Sequence, residues 1–193
     1  METVLADDGL VEYYSNCLSA VTADDYFNKL ENEIDWQSDQ LILFGKHITT
    51  KRKVAWHGDQ AYQYVYSRNK KIAKQWTDTL QAIKQHLEYF SGEQFNSCLL
   101  NYYHDGSEGM GWHSDNEVMM KKNAAIASIS LGATRKFNFR HKVSNETQSV
   151  YLESGSLIMM KGDVQTYWKH QLPVSKKILT PRINLTFRYF EDR

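Results

Sequence analysis

The segment Arg182-Ile183-Asn184-Leu185-Thr186-Phe187-Arg188-Tyr189 is typical of one β-strand with two chemically different faces. Successive side chains of a strand point to opposite faces, so both arginines fall on the polar face. A solvated polar face on an ordinary amphipathic strand would give the same pattern. If the strand lies in a core instead, its two guanidinium groups suit a buried dicarboxylate, because arginine binds carboxylates through bidentate hydrogen bonds.

A second stretch, Gly111-Trp112-His113-Ser114-Asp115, places a histidine and an aspartate two positions apart. On an extended strand these two side chains share a face and can reach one metal ion. A third ligand must come from elsewhere, and His170 is the best candidate. Two histidines and one carboxylate form the facial triad of non-haem Fe(II) oxygenases. The chain has seven histidines, so a polar strand end that matches by chance is the alternative.

Together, these segments resemble the AlkB family of Fe(II)/2-oxoglutarate dioxygenases, in particular the eukaryotic nuclear DNA-repair homologues of AlkB. The resemblance runs from about residue 40 to the end of the chain, and its most specific part is the C-terminal strand. The matching segments are Leu43-Phe44-Gly45-Lys46, Asn101-Tyr102-Tyr103, His113-Ser114-Asp115, Phe139-Arg140-His141-Lys142, Gly155–Met160, His170–Val174 and Pro181–Arg188.

The resemblance implies a mostly β fold with flanking helices, built on a double-stranded β-helix, or jelly roll. It implies that His113, Asp115 and His170 bind Fe(II) and form the catalytic centre. Arg182 would hold the distal carboxylate of the co-substrate 2-oxoglutarate, and Arg188 would support its keto acid end. The full set of residues expected around 2-oxoglutarate is Asn101, Tyr103, Arg182, Asn184, Thr186 and Arg188.

The implied reaction is oxidative demethylation of N-alkylated DNA bases such as 1-methyladenine and 3-methylcytosine. Molecular oxygen is the second co-substrate, and formaldehyde, carbon dioxide and succinate are released. A base must leave the stack to reach such a site, and Phe44 is expected to enter the stack as a wedge. The alternative for Phe44 is a side chain packed in the core. The residues expected to contact nucleic acid are Phe44, Gly45, Lys46, Arg52, Tyr64, Val65, Tyr66, Asn116 and Glu117.

Two other functions stay open at this point. The same oxygenase chemistry could act on RNA or protein, which only a substrate panel would separate from DNA repair. A non-catalytic jelly roll that binds nucleic acid is the alternative from another class, and it would form no succinate. Aromatic residues beside basic ones in segments 46–53 and 62–71 suit nucleic-acid contact, although a tyrosine-rich strand packed on a core would show the same composition.

The composition of the chain fits one domain with a sizeable core, because its 193 residues are 41% hydrophobic and 24% charged. No apolar run approaches the roughly 20 residues that span a bilayer, and Met1–Ala20 has no basic segment typical of a signal peptide. Two cysteines indicate reduced thiols rather than a disulfide framework. We expect an intracellular monomer, nuclear if eukaryotic and cytoplasmic if bacterial, with no membrane partner.

The charge of the chain is unevenly distributed. Residues 1–40 carry a net charge of −9, from ten acidic residues and one lysine, so the remainder carries +9.

The order of patterns along the chain predicts a helical N-terminal extension in residues 1–40, with helices at Leu10–Ser19 and Ala23–Ile34 and Thr22 as an N-cap. Residues 41–94 are predicted to hold a nucleotide-recognition region and a helix at Ile72–Phe90 that ends at Gly92. Residues 95–193 are predicted to form the jelly-roll core. Strands are predicted at residues 41–44, 62–66, 96–104, 111–116, 125–131, 136–142, 149–152, 156–160, 166–172 and 182–190.

Overall fold

The structure is a computed structural model that describes residues 1–43, 46–66, 69–115 and 117–191. Within these ranges the chain forms three helices and fourteen strands. The helices are α1 (Ala20–Glu33), α2 (Asp78–Ser91) and α3 (Val164–Tyr167). The strands are β1 (Glu2–Leu5), β2 (Leu10–Tyr14), β3 (Gln37–Leu43), β4 (Lys46–Gly58), β5 (Gln63–Tyr66), β6 (Asn69–Ile72), β7 (Ser97–Tyr103), β8 (Met110–His113), β9 (Ile126–Gly132), β10 (Arg135–His141), β11 (Thr147–Leu152), β12 (Ser156–Lys161), β13 (Trp168–Leu172) and β14 (Arg182–Arg188).

The strands form two main antiparallel sheets and one hairpin. The larger sheet has eight strands in the order β1-β2-β12-β9-β14-β7-β4-β3, and the smaller has four in the order β11-β10-β13-β8. Among the described residues, strands β5 and β6 form a separate two-stranded sheet. Two facing antiparallel sheets with helices outside are the architecture of a jelly roll, so the predicted fold class is confirmed.

Strand β14 explains how this fold builds a site, because it lies in the middle of the larger sheet between β9 and β7. Its apolar side chains Ile183, Leu185 and Phe187 belong to the core beneath helices α1 and α2. Its polar side chains point to the space between the two sheets, where Arg182 and Arg188 are almost completely buried. The alternative of a solvated polar face is therefore wrong for this strand.

The two long helices cover the outer side of the larger sheet and begin and end at recognisable caps. Helix α1 begins after Ser19, whose hydroxyl accepts a hydrogen bond from the backbone of Thr22, so Ser19 and not Thr22 is the N-cap. Helix α2 is capped by Thr77 and ends at Gly92, whose φ of 71° suits glycine, as predicted. The predicted start of this helix at residue 72 is wrong, since strand β6 includes Ile72.

The predicted helix at Leu10–Ser19 is also wrong, because residues 10–14 form strand β2. Val11 lies opposite Met160 and Tyr13 opposite Ile158, so β2 extends the larger sheet beside β12. Val11 and Tyr13 are buried in the core between the sheets, which matches the period-two alternation of a strand. The N-terminal extension is thus partly β-structure, with α1 as its helix. None of the described helices is both long enough and apolar enough to span a bilayer.

Candidate metal and co-substrate site

Three potential metal ligands meet between the sheets. His113 ends β8, Asp115 follows it, and His170 lies opposite His113 on the neighbouring strand β13. One ligand atom from each residue lies within 4.8 Å of the others. Asp115 Oδ1 is 3.6 Å from His113 Nε2 and 3.5 Å from His170 Nε2. Two ligands at right angles on one octahedral cation lie roughly 3 Å apart, so this donor set fits the facial triad of an Fe(II) oxygenase.

Both imidazole rings are held in place by their surroundings. Nδ1–H of His113 donates to the carbonyl oxygen of Gly111 at 2.8 Å, which leaves Nε2 free to act as the ligand. His170 packs against the ring of Phe137, with ring centroids 5.4 Å apart. Burial and the neighbouring His170 lower the pKa of His113, so the neutral ring that binds metals is favoured.

Asp115 is held by a buried arginine on the opposite sheet. Nε and Nη2 of Arg188 donate to Asp115 Oδ2 at 3.2 and 2.6 Å, and Arg188 Nη1 donates to Glu117 Oε1 at 2.9 Å. Burial alone would raise the pKa of the Asp115 carboxyl, but Arg188 and the two histidines hold that pKa well below its usual range. Asp115 is therefore a carboxylate, with Oδ1 directed to the histidines.

The backbone around Asp115 is fixed by a side chain from helix α3. The backbone N–H of Asp115 donates to Gln165 Oε1 at 2.8 Å, and the hydroxyl of Ser114 donates to the carbonyl of Trp168 at 2.8 Å. These two bonds tie the segment after β8 to α3 and β13. The loop that carries the carboxylate ligand is thus braced independently of any metal.

A cavity extends from the three ligands along the polar face of β14. Its walls come from both sheets and include the predicted 2-oxoglutarate residues. The lining residues are Leu99, Asn101, Tyr103, Met110, His113, Asp115, Ser128, Phe137, Met160, His170, Leu172, Arg182, Asn184, Thr186 and Arg188.

Arg182 is the feature that fits a dicarboxylate in this cavity. Its side chain is 1% exposed, and it forms no ion pair with any carboxylate in the described part of the chain. Nη2 donates to Ser130 Oγ at 2.8 Å, while the buried Nε has no described partner. Burial lowers the pKa of Arg182 to about 10. A buried cation without a counter-charge is costly, and an incoming carboxylate would remove that cost.

The remaining predicted co-substrate residues are also in this region. Asn101 and Tyr103 lie on the cavity side of β7, and the Tyr103 ring centroid is 5.6 Å from the Arg182 guanidinium. Nδ2 of Asn184 donates to Ser128 Oγ at 2.9 Å, and Thr186 is buried in the wall. Arg188 borders the cavity, but its hydrogen bonds go to Asp115 and Glu117, so its position is that of a support for a metal ligand.

Arg52 does not occupy the nucleic-acid contact position expected for it. Its side chain is buried, its Nη2 donates to Asp39 at 3.0 Å, and its Nη1 donates to the Asn101 side-chain oxygen. A guanidinium enclosed by these partners is not available to a phosphate. Arg52 instead orients Asn101 at the edge of the co-substrate cavity.

The other predicted substrate contacts are only partly visible. Glu117 lies beside the metal site through its bond to Arg188. Lys46 begins β4, while Tyr64, Val65 and Tyr66 belong to β5, and for these four residues the structure describes the backbone alone. Phe44, Gly45 and Asn116 lie outside the described residues.

Three residues that support the site or the segments around it were not identified from sequence. Ser130 binds Arg182, Gln165 binds the backbone of Asp115, and Arg135 donates to the carbonyls of Glu108 and Pro173 at 2.8 and 2.9 Å. Of the three, only Ser130 could have been found from the sequence, because serines alternate with apolar residues along 127–131 and so lie on one face of a strand. Gln165 and Arg135 join segments that are distant in sequence, which a local pattern does not reveal.

Comparison with known proteins agrees with this architecture. The 2OG-Fe(II) oxygenase superfamily model matches residues 10–188. The human DNA oxidative demethylase ALKBH2 is 38% identical over 192 residues, covering 94% of this chain and 74% of its own length. The bovine alpha-ketoglutarate-dependent dioxygenase alkB homolog 3 is 34% identical over 176 residues, covering 86% of this chain and 61% of the relative.

A solved structure, that of OsALKBH1, superposes with a TM-score of 0.59 at 17% identity and covers 96% of this chain and 98% of its own. That similarity concerns the fold alone. The family match over most of the chain, the level of identity and the His-Asp-His cluster at two neighbouring strands together assign the protein. The chain belongs to the 2OG-Fe(II) oxygenase superfamily and, within it, to the AlkB family.

Proposed function

We propose that this protein is an oxidative demethylase that repairs N-alkylated bases in DNA, using Fe(II), 2-oxoglutarate and oxygen. The observation that carries the proposal is one continuous cavity that holds the His113-Asp115-His170 cluster and, along its wall, the buried Arg182, which has no ion pair among the described residues. A metal centre and a dicarboxylate clamp in the same cavity suit a co-substrate that binds both. Relatives named as DNA oxidative demethylases at this level of identity support a methylated base as the substrate.

Each part of the site has a task in this reaction. His113, Asp115 and His170 would hold Fe(II), which supplies the activation of oxygen by which 2-oxoglutarate is converted to succinate and carbon dioxide. Arg188 keeps Asp115 ionised and directs its Oδ1 to the histidines. Gln165 and Ser114 hold the segment, so the ligand set is preorganised.

The co-substrate end of the site selects a dicarboxylate by charge and by shape. Arg182 would pair with the distal carboxylate of 2-oxoglutarate, which would restore a counter-charge to its buried guanidinium. Tyr103 and Thr186 close the wall around it, and both are buried. Asn101 is oriented by Arg52, and Asn184 by Ser128. These oriented polar groups would fix the ligand within the cavity.

The substrate end of the site lies near Glu117. One of its oxygens is bound by Arg188, and the other, Oε2, is buried without a partner in the described part of the chain. An acceptor in this position suits an N–H group on the edge of a flipped base. Hydroxylation of the N-methyl carbon gives a hemiaminal, which releases formaldehyde as its carbon–nitrogen bond breaks and so restores the base.

The test is formaldehyde release with Fe(II) and 2-oxoglutarate on a panel of oligonucleotides that carry 1-methyladenine or 3-methylcytosine. The panel contains single-stranded and double-stranded DNA, matching RNA, and a methylated peptide. We expect release from methylated DNA, with succinate formed in equal amount. If succinate forms but no nucleic acid releases formaldehyde, the oxygenase activity stands and a methylated nucleic acid is refuted as the substrate. The absence of both would refute the activity.

A further inference from the structure

The outer face of the four-stranded sheet is cationic, whereas its inner face forms one wall of the metal site. Phe139 pairs with His170 and belongs to the inner face. The next pair in the ladder, Arg140 opposite Lys169, therefore points outward. Lys136 pairs with Tyr151 on the same outer face, and Tyr151 is 62% exposed. Three cations and an exposed aromatic ring thus share one surface, which we call the outer cationic face.

Trp112 adds a second aromatic ring to this face. It precedes His113 on β8, so its side chain points away from the metal ligands. The Arg140 guanidinium lies over the Trp112 ring at 4.4 Å from the centroid. This cation–π contact holds the arginine in one orientation, which reduces the entropy it would lose on binding an anion.

No described carboxylate neutralises the outer cationic face. Lys136, Arg140 and Lys169 form no ion pair within the described part of the chain, and their cross-strand partners are uncharged or basic. Burial and the charge of Lys169 lower the pKa of the neighbouring Lys142, which indicates a locally positive potential. Three lysines on other surfaces do have carboxylate partners: Lys29 pairs with Asp25, Lys74 with Asp35 and Lys161 with Glu12.

The metal site opens at the edge of the sheet that carries this face. The side chain of His113 is 38% exposed, whereas those of His170 and Asp115 are 5% and 6% exposed. The site therefore opens beside β8, which is the edge strand of the small sheet. Trp112 lies on the outer side of that same edge. A chain that leaves the metal site over β8 would reach Lys169 and Arg140 within roughly two strand spacings, or about 10 Å.

We propose that the outer cationic face binds the phosphate backbone of the nucleic-acid strand that carries the target base. Arg140, Lys169 and Lys136 contact successive phosphates, and Trp112 keeps Arg140 oriented for them. This inference rests on the proposed function, because a base in the metal site would place its flanking phosphates near β8. A polyanion of regular spacing complements three unpaired cations arranged across neighbouring strands.

The test measures binding of labelled, unmodified single-stranded DNA by fluorescence anisotropy over a series of salt concentrations, without metal or 2-oxoglutarate. The surface variant carries Lys136→Gln, Arg140→Gln and Lys169→Gln. The matched control carries Lys29→Gln, Lys74→Gln and Lys161→Gln, so both proteins lose the same charge. We expect the slope of log affinity against log salt to fall by about 2 in the surface variant, at about 0.7 per lost phosphate contact, and to stay unchanged in the control.

The aromatic contact is tested separately. Trp112→Leu removes the ring beneath Arg140 and should weaken DNA binding about two- to five-fold, whereas Trp112→Phe should retain most of the affinity. Melting temperatures of all variants show whether the sheet is intact. Equal slopes in the surface variant and the control would overturn the proposal. Equally tight binding of poly-glutamate would also overturn it, because the face would then select charge alone.

Failure of this inference and failure of the proposed function give different results. If the wild-type protein releases formaldehyde from methylated DNA while the surface variant keeps its salt slope, the demethylase stands and the surface is refuted. If the wild-type protein releases none while the surface variant loses DNA binding, the surface stands and the demethylase is refuted.

Discussion

Arg188 and Asp115 are joined by two hydrogen bonds to one carboxylate oxygen, Oδ2, from Nε at 3.2 Å and from Nη2 at 2.6 Å. The other oxygen, Oδ1, faces both histidines. Arg188 lies on the larger sheet and Asp115 follows the edge strand of the smaller one. This pair therefore connects the two sheets at the metal site and decides which carboxylate oxygen is available as a ligand.

Replacing Arg188 should weaken metal binding. Arg188→Gln removes the paired donors, so Asp115 is no longer held with Oδ1 toward the histidines, and we expect a 10- to 100-fold fall in affinity. Arg188→Lys keeps the charge without the fork and should recover only part of the loss. Calorimetric titration with Mn(II) or Co(II) measures the affinity, and Glu117→Gln is the control because it removes only the other partner of Arg188. Unchanged affinity in Arg188→Gln would show that Asp115 needs no such support.

Loss of a ligand should abolish turnover while the fold persists. His170→Ala removes one of two imidazoles from a three-ligand site, and we expect neither succinate formation nor binding of Co(II). His86→Ala is the control, because His86 lies on α2 and its ring nitrogen contacts the carbonyl of Cys17. Circular dichroism establishes folding in both variants. Near-normal activity and metal binding in His170→Ala would remove this residue from the triad.

Arg182→Met should weaken binding of the co-substrate without lowering the stability of the ligand-free protein. Loss of a charge-assisted pair should raise the KM for 2-oxoglutarate by about two to three decades. Without ligand, however, the melting temperature should not fall, since an unpaired buried cation is replaced by an apolar side chain of similar length. The thermal shift on adding 2-oxoglutarate should disappear.

The control for Arg182→Met is Arg135→Met. Arg135 is equally buried but donates to backbone carbonyls of two segments. Its loss leaves those acceptors unsatisfied and should cost about 2–4 kcal/mol of stability. If Arg182→Met lowered the ligand-free melting temperature as much as Arg135→Met, the idea of an uncompensated charge at Arg182 would fail.

The N-terminal hairpin should be sensitive to substitution at Gly9. Its φ is 120°, and a Cβ there would lie 2.5 Å from the backbone nitrogen of Val164 at the start of α3. Gly9→Ala should therefore lower the stability of the fold, because it strains the backbone and displaces α3. Helix α3 carries Gln165, which binds the backbone of Asp115. Gly162→Ala is the matched control, because its φ of 65° is also positive but nothing lies within 4 Å.

The measurement for both glycine variants is chemical denaturation. We expect Gly162→Ala to lose about 1–2 kcal/mol, the ordinary cost of a left-handed conformation, and Gly9→Ala to lose clearly more. Equal losses would mean that the approach of Gly9 to Val164 is not tight enough to matter.

Alternation in sequence was sufficient for strand β14 and indicated two of the three residues of the metal cluster, whereas His170 came from elsewhere in the chain. The pattern of residues 182–188 predicted both the strand and which side chains share a face, because the period of a strand is set by local geometry. The spacing of His113 and Asp115 predicted that the two act together, but β8 ends at His113, and Asp115 is brought to the site by its bonds to Gln165 and Arg188. The resemblance to AlkB proteins added the jelly-roll class, which the family match bears out.

Burial and long-range pairing were decided only in the folded molecule. Leu10–Tyr14 pairs with β1 in a local hairpin and with β12, which is distant in sequence, and no local pattern shows the second partner. Arg52 looked like one basic residue in a basic run, yet its pairing with Asp39 and Asn101 encloses it. The sequence by itself determined which side chains could share a face. The tertiary structure decided which faces meet, because the pairing of charges depends on the distance between separate strands. It placed Arg188 against a carboxylate and left Arg182 available to a ligand.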